Sequence, residues 1–275
     1  YGAWAEKLLY NGVLSLPPVT KDGKIMYYAN YFLDGGIKSN LDRRYHGAPE
    51  AYDDLNVTYH YSWQCCTGTY PQAVAEYVNM IYFIRGGDLY VSQYMPSMLK
   101  EEVGGTQMTL TCKTRYPEEE TVYYCISCES PVERTIYFRI PAWVKESPAV
   151  YVNGVKQTVE GRTGDWMPVS KTWRDQDTIM VKIGMPLYFE KIDNKNKDIV
   201  SLLYGPVVLV SDDLAAFCED PDHVEEWIER VPGERLKFRT KPGAMEGIYD
   251  FETRDFVPYW SYPEGKWYFL YFWLR

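Results

Sequence analysis

The chain has 275 residues, 46% hydrophobic and 24% charged, with 29 Lys plus Arg against 38 Asp plus Glu and a formal net charge of −9. This balance excludes a basic nucleic-acid footprint and wholesale disorder, no apolar run approaches the roughly 18 residues of a membrane span, and six cysteines are too few for a disulfide scaffold. The 26 Tyr and 9 Trp form a heavy load of rings with a polar tip, which suits sugar stacking or β-sheet packing.

In chain order, Tyr1 to about Leu14 reads as a helix, with Trp4, Leu8 and Leu9 at helical spacing. Asn11-Gly12 is a stop signal and Pro17-Pro18 forbids continuation. The start, Tyr1-Gly2-Ala3-Trp4, shows neither an initiator Met nor a signal-peptide pattern, so the chain reads as a fragment or a processed piece. Residues 20–62 lack strong periodicity: Asp22-Gly23 is a turn signal, Ile25 to Phe32 an aromatic run of strand character, and a loop with Asp42-Arg43-Arg44 and Asp53-Asp54 follows. A second helix is expected near Pro71, capped around Thr69 or Tyr70, with Val74, Tyr77, Val78 and Ile81 buried and Arg85-Gly86-Gly87-Asp88 at its end.

Beyond residue 88 the pattern is β. Short runs at Leu89–Tyr94, Met108–Lys113, Thr121–Cys128, Thr135–Ile140 and Val150–Val152 are separated by turn chemistry such as Asn153-Gly154, the spacing of a β-sandwich. Another β-rich stretch opens at Ile199 and ends in the aromatic run Trp267–Trp273, with Asn194-Lys195-Asn196-Lys197 as an exposed turn between the modules. The expected division is 1–88 helical, 89–192 a β-sandwich and 193–275 a second β-rich sandwich module.

The sharpest local feature is Cys65-Cys66, followed by Thr67-Gly68-Thr69-Tyr70-Pro71 and the helix. Unpaired N–H groups at a helix N-terminus favour a thiolate, the form that attacks carbon or binds a soft metal. Three readings stand: two buried inert cysteines, a metal-thiolate or nucleophile site, and a vicinal disulfide, the last disfavoured by geometry. A zinc site wants about four ligands; the pair supplies two, with His46 and His60 as further candidates or else hydrogen-bonding loop residues. Cys125-Ile126-Ser127-Cys128 is not a metal knuckle, because positions 125 and 128 of a strand face opposite ways. Cys112 and Cys218 read as core residues. Asp42, Glu50, Asp53 and Asp54 have no distinctive spacing and read as a solvated loop. No phosphate loop, dinucleotide fingerprint or serine elbow occurs.

Ser62-Trp63-Gln64-Cys65-Cys66-Thr67-Gly68-Thr69, with the helix ending Asn79-Met80-Ile81-Tyr82-Phe83, resembles the β-L-arabinofuranosidase families 127 and 146 of glycoside hydrolases. Four further groups follow in family order: Leu89-Tyr90-Val91 with Tyr94-Met95-Pro96-Ser97, Arg139-Ile140-Pro141-Ala142-Trp143 with Val152-Asn153-Gly154, Tyr204-Gly205-Pro206-Val207-Val208, and Val257-Pro258-Tyr259-Trp260. The resemblance implies an α + β multidomain architecture in which the C-terminal remnant of an (α/α)6 barrel is followed by β-sandwich modules. It implies Cys65 as nucleophile and zinc ligand, Cys66 as a second zinc ligand and Tyr28 as a substrate-contacting residue. A carbohydrate substrate and a missing N-terminal barrel segment are the implied partners.

Tyr70 and Gln72 depart from the Gly and Glu common in the related motif. The family's acid/base glutamate and the Glu and Cys that complete its zinc site lie upstream of the part this chain resembles. The chain alone is therefore expected to be inactive. The alternative from another class is a non-catalytic carbohydrate-binding or scaffolding β-sandwich protein, and the compartment stays open between bacterial cytoplasm and periplasm.

Overall fold

The computed structural model describes residues 1–15, 33, 35–38, 64–245, 253–263 and 265–275. The expected strand at Ile25–Phe32 and the loop through Asp42 and Asp53 lie outside these residues. The described chain divides into two compact units, one of Tyr1–Glu6 and Glu76–Pro186, the other of Lys7–Ala75 and Leu187–Arg275. Its helical and early elements are α1 (Gly2–Leu8), a π-helical turn (Leu9–Val13), β1 (Gly36–Ile37) and α2 (Gln64–Asn79).

The first unit holds β2 (Tyr82–Arg85), β3 (Asp88–Val91), β4 (Ser97–Val103), β5 (Thr106–Thr114), β6 (Thr121–Cys128), β7 (Val132–Arg139), β8 (Ala149–Val152), β9 (Val155–Lys156), β10 (Trp166–Trp173) and β11 (Thr178–Lys182). They make a four-stranded sheet in the order β10-β7-β3-β2 and a six-stranded sheet in the order β4-β5-β6-β11-β8-β9. Burial alternates along β6 and β7, so each sheet turns one face inward. The two inner faces meet where Tyr124 of β6 packs on Phe138 of β7 at 5.3 Å between centroids. Arg134 of β7 reaches across to Glu101 of β4 with a two-pronged contact of 2.6 and 3.2 Å. This is a β-sandwich, as the strand spacing predicts.

Two local readings are corrected. Arg85-Gly86-Gly87-Asp88 does not end a helix; it is the β2–β3 hairpin, with Arg85 opposite Asp88. Gly86 and Gly87 have φ of +62° and +89°, the consecutive positive pair of the tight turn whose twist matches paired strands. On α2, Tyr77 is buried while Val74 and Val78 are 44% and 68% exposed, so the expected apolar stripe is only partly covered among the described residues.

The second unit carries β12 (Leu187–Lys191), β13 (Ile199–Tyr204), β14 (Val207–Val210), β15 (Ala216–Phe217), α3 (Val224–Trp227), β16 (Ile228–Arg230), β17 (Phe238–Thr240), β18 (Asp255–Pro258), β19 (Trp267–Tyr268) and β20 (Phe272–Leu274). Its main sheet runs β15-β20-β13-β14-β18-β17-β16, with β12 also paired to β13, and β1 pairs separately with β19. The aromatic run 267–273 is split between β19 and β20, and the Asn194–Lys197 turn joins β12 to β13 within this unit. Phe217, Phe256 and Phe272 are fully buried and in mutual ring contact, forming the centre of this core. The Asn11 side chain helps tie in the helical turn at 9–13. Asn11 Nδ2 donates to the Pro206 carbonyl at 2.7 Å, and its Oδ1 accepts the Val208 N–H at 2.7 Å, so the amide mimics a strand beside the β13–β14 hairpin. Asn11 thus carries a packing role as well as a helix-stop signal.

Candidate functional site

The backbone of α2 starts at Gln64, so Cys65 and Cys66 are the second and third helical residues, inside the first turn. The expected start near Pro71 is corrected: Pro71 lies within the helix, where it gives no N–H to the carbonyl four residues back. The first turn still leaves its N–H groups without intrahelical partners, and it contains no acidic residue to offset them. Tyr28, His46, His60, Asp42, Glu50, Asp53 and Asp54 lie outside the described residues.

Two thiols from one helical turn are the soft donors that zinc accepts, but a closed zinc site takes four. Among the described residues no group of three or more His, Cys, Asp or Glu side chains is placed to hold a metal ion. The donor chemistry of the cysteine pair suits zinc in kind, and two donors fall short of the four of a closed site.

The other four cysteines are free. Cys112 is buried in the sandwich, and burial pushes its thiol up to about 11, which keeps it protonated and inert. Cys125 is exposed, and Cys128 lies at the end of β6 with its sulfur against the Trp173 carbonyl, so the two serve no common ligand. Cys218 is exposed just past β15, which corrects its reading as a core residue.

Three polar side chains carry structural roles that the sequence reading did not assign to them. Glu6 is fully buried in the first unit and accepts from Arg139, Tyr116 and the Trp143 indole at 2.8, 2.8 and 3.0 Å. In the second unit Lys38, only 4% exposed, donates to the carbonyls of Tyr259, Trp260 and Tyr262 at 2.7, 3.1 and 2.6 Å. Asn11 is the third. Each is a polar residue whose structural value depends on what the fold brings to it.

The architecture defines a class: a β-sandwich and a second β-rich unit, entered through a helix that carries adjacent cysteines. Residues 88–185 match the family described as β-L-arabinofuranosidase, GH127 middle domain, and the resemblance to that family read from the sequence stands. Over its whole length the chain also superposes on solved structures. One is a GH127 β-L-arabinofuranosidase from Geobacillus stearothermophilus T6 (TM-score 0.69, 20% identity, 46% of that chain covered). Another is described as a glycoside hydrolase (0.71, 20%, 48%) and a third as a GH127 β-arabinofuranosidase (0.70, 16%, 46%). At these identities the likeness is one of fold. The chain spans about half the length of the structures it matches. No curated protein matches it in sequence.

Proposed function

We propose that the chain is the C-terminal part of a retaining glycoside hydrolase acting on L-arabinofuranosides of plant-type glycans, with the Cys65 thiolate as nucleophile. The observation that carries this reading is the position of Cys65-Cys66 in the first turn of α2, directly ahead of the segment similar to the GH127 middle domain. Partial positive charge at a helix N-terminus favours the thiolate, which is both the nucleophile and the metal-binding form.

In this reading residues 1–88, with α1 and α2, close an (α/α)6 barrel whose other helices come from an N-terminal segment. The sulfur of Cys65 attacks the anomeric carbon as the glycosidic oxygen leaves with a proton from a carboxylic acid. The resulting thioglycoside is opened by water, whose proton returns to that carboxylate, and two inversions give retention. Tyr28 contacts the sugar. Cys65 and Cys66 would hold zinc, whose charge keeps a bound thiol deprotonated. The acid is supplied by the N-terminal segment, which accounts for the expected inactivity of the chain alone.

The test measures zinc content and turnover of aryl α- and β-L-arabinofuranosides by residues 1–275 alone and by a form carrying the N-terminal barrel segment. The chain alone is expected to show neither firm zinc retention nor turnover, since general acid catalysis contributes about 10²–10⁴-fold. In the longer form Cys65→Ser abolishes turnover and Cys66→Ser chiefly lowers zinc content. Full turnover by Cys65→Ser would overturn the nucleophile, and turnover by residues 1–275 alone would move the acid to Glu50, Asp53 or Asp54.

One cluster favours the second reading, carbohydrate binding without catalysis. Tyr90 and Tyr137 stack at 4.4 Å and Trp166 meets Tyr90 edge-on at 5.1 Å, on the face of the four-stranded sheet that also presents the half-exposed Phe83 opposite Tyr90. Retardation in arabinan gels that Trp166→Ala abolishes, without turnover in any form, would select it.

A further inference from the structure

We propose that the sandwich carries a carbohydrate-binding site: the cavity at residues 159–165, with Trp166 at its end, takes a neutral, arabinose-containing oligosaccharide. The choice of arabinose rests on the function proposed above. The site itself rests on the cavity, which lies wholly within the first unit and adds directed polar groups to the ring cluster of Tyr90, Tyr137 and Trp166.

The cavity has a volume of about 600 Å³ and is lined by Val159, Glu160, Gly161, Arg162 and Asp165, on the stretch between β9 and β10. Backbone bonds hold its shape. The Gly164 N–H donates to the Ile140 carbonyl at 3.1 Å, the Ile140 N–H to the Asp165 carbonyl at 2.8 Å, and the Ser147 hydroxyl to the Gly161 carbonyl at 2.9 Å. Gly161 packs so tightly that an added Cβ would fall 2.3 Å from the Ile140 side chain and 3.3 Å from the Trp166 carbonyl oxygen, so the lining rests on the chain at Trp166. A site shaped before its ligand arrives loses less freedom on binding. Glu160 and Arg162 are exposed, and neither side chain makes a hydrogen bond or ion pair among the described residues. Asp165 commits one oxygen, Oδ1, to the Trp166 N–H at 2.9 Å and keeps the other open.

This lining suits a sugar better than an ion. Neighbouring hydroxyls both donate and accept, and here carboxylates that accept stand beside a guanidinium that donates. Two carboxylates against one guanidinium leave the lining negative, which repels a phosphate or sulfate group. They are also too few for a cation: no group of three or more His, Cys, Asp or Glu among the described residues is placed to hold one. The apolar side of the ligand is met at Trp166. Its ring is half-buried and held at 90° to Tyr90, which is itself stacked on Tyr137. Rings fixed in this way give rigid contact area for the C–H face of a sugar at little entropic cost. Apolar rings with a few convergent polar groups are the usual make-up of a small-ligand site.

Calorimetric titration of residues 1–275 with arabinohexaose is expected to show saturable binding, and cellohexaose, with the same number of rings, to bind at least about tenfold more weakly. Arg162→Gln and Asp165→Asn are each expected to weaken arabinohexaose about tenfold, the effect of losing one charge-assisted hydrogen bond. Trp166→Ala weakens it further, and Trp166→Phe, which stands in should the alanine variant not fold, gives an intermediate loss. Lys182→Gln, which removes an exposed charge at the end of β11, leaves binding unchanged, as does Cys65→Ser. No saturable binding of arabinohexaose at millimolar concentration, or binding that the Arg162, Asp165 and Trp166 variants all leave unchanged, overturns the site. Equal affinity for cellohexaose overturns the arabinose assignment. Turnover by the longer form without binding here counts against this site alone, and binding here without turnover by the longer form counts against the catalytic reading alone.

Discussion

Glu6 and Arg139 form a buried ion pair, Nη2 to Oε1 at 2.8 Å, with side chains 1% and 6% exposed. The start of α1 is held on the sandwich by this charge pair and by the Tyr116 hydroxyl and Trp143 indole that satisfy the remaining carboxylate positions. The Arg139 Nε also donates to the Ser92 carbonyl at 2.5 Å. Removing one partner strands the other charge out of water, which costs about 3–5 kcal/mol. Glu6→Ala is expected to lower chemical unfolding stability by about that amount. The Glu6→Ala, Arg139→Met double variant is expected to lose less than the sum of its two singles. Additive losses would show that the pair is not coupled.

Pro71 tests where α2 begins. In the interior of a helix proline costs about 3 kcal/mol relative to alanine, and near its first residues almost nothing. With the start at Gln64, Pro71→Ala is expected to stabilise the chain by about 1–3 kcal/mol in thermal or urea unfolding. No gain would place the start close to Pro71.

Thiol chemistry separates the cysteines. Burial holds Cys112 protonated up to about pH 11, while Cys125 and Cys218 lie open to reagent. At pH 8 Cys125 and Cys218 are expected to label with a disulfide reagent within minutes, and Cys112 only on unfolding, as read by peptide mass. Labelling of Cys112 alongside the others would show that the sandwich opens there.

Asp220 and His223 form an exposed pair at 2.8 Å. The hydrogen bond to Asp220 raises the imidazole above its ordinary 6.5, and Asp220, bonded by the Asp222 N–H and by His223, falls below 3.8. A raised histidine stabilises below its unfolded value and loses that contribution as pH rises through its folded one. A lowered aspartate stabilises above its unfolded value and loses it as pH falls through its folded one. The pair is therefore strongest between about pH 4 and 6.5. An NMR titration should place the His223 midpoint above 6.5, and Asp220→Asn should bring it down. A midpoint indifferent to Asp220→Asn would remove the pair.

The β-sandwich was legible because strand periodicity and turn chemistry are local. Asn153-Gly154 reads as a hairpin turn from two letters, and the structure pairs Val152 with Val155 across it. The Thr121–Cys128 strand has the predicted bounds. The cysteine pair and its helix were legible for the same reason, although the proline signal put the helix start seven residues late. The first segment was misread in detail, since Trp4 is 66% exposed while Glu6 is fully buried. Helical spacing sorts side chains by apolarity, and it has no knowledge of an arginine arriving from a strand 133 residues away.

The sequence by itself determined the strand character of the stretches beyond residue 88, the helix that carries the cysteine pair, and the resemblance of its motifs to arabinofuranosidases. Each depends on spacing within a few residues. Only the tertiary structure decided that Glu6 is paired, that Asn11 substitutes for a strand, and that Lys38 is seated on three carbonyls more than 220 residues away. A buried polar group is stable only where the fold supplies all its partners together, and no local pattern encodes that coincidence.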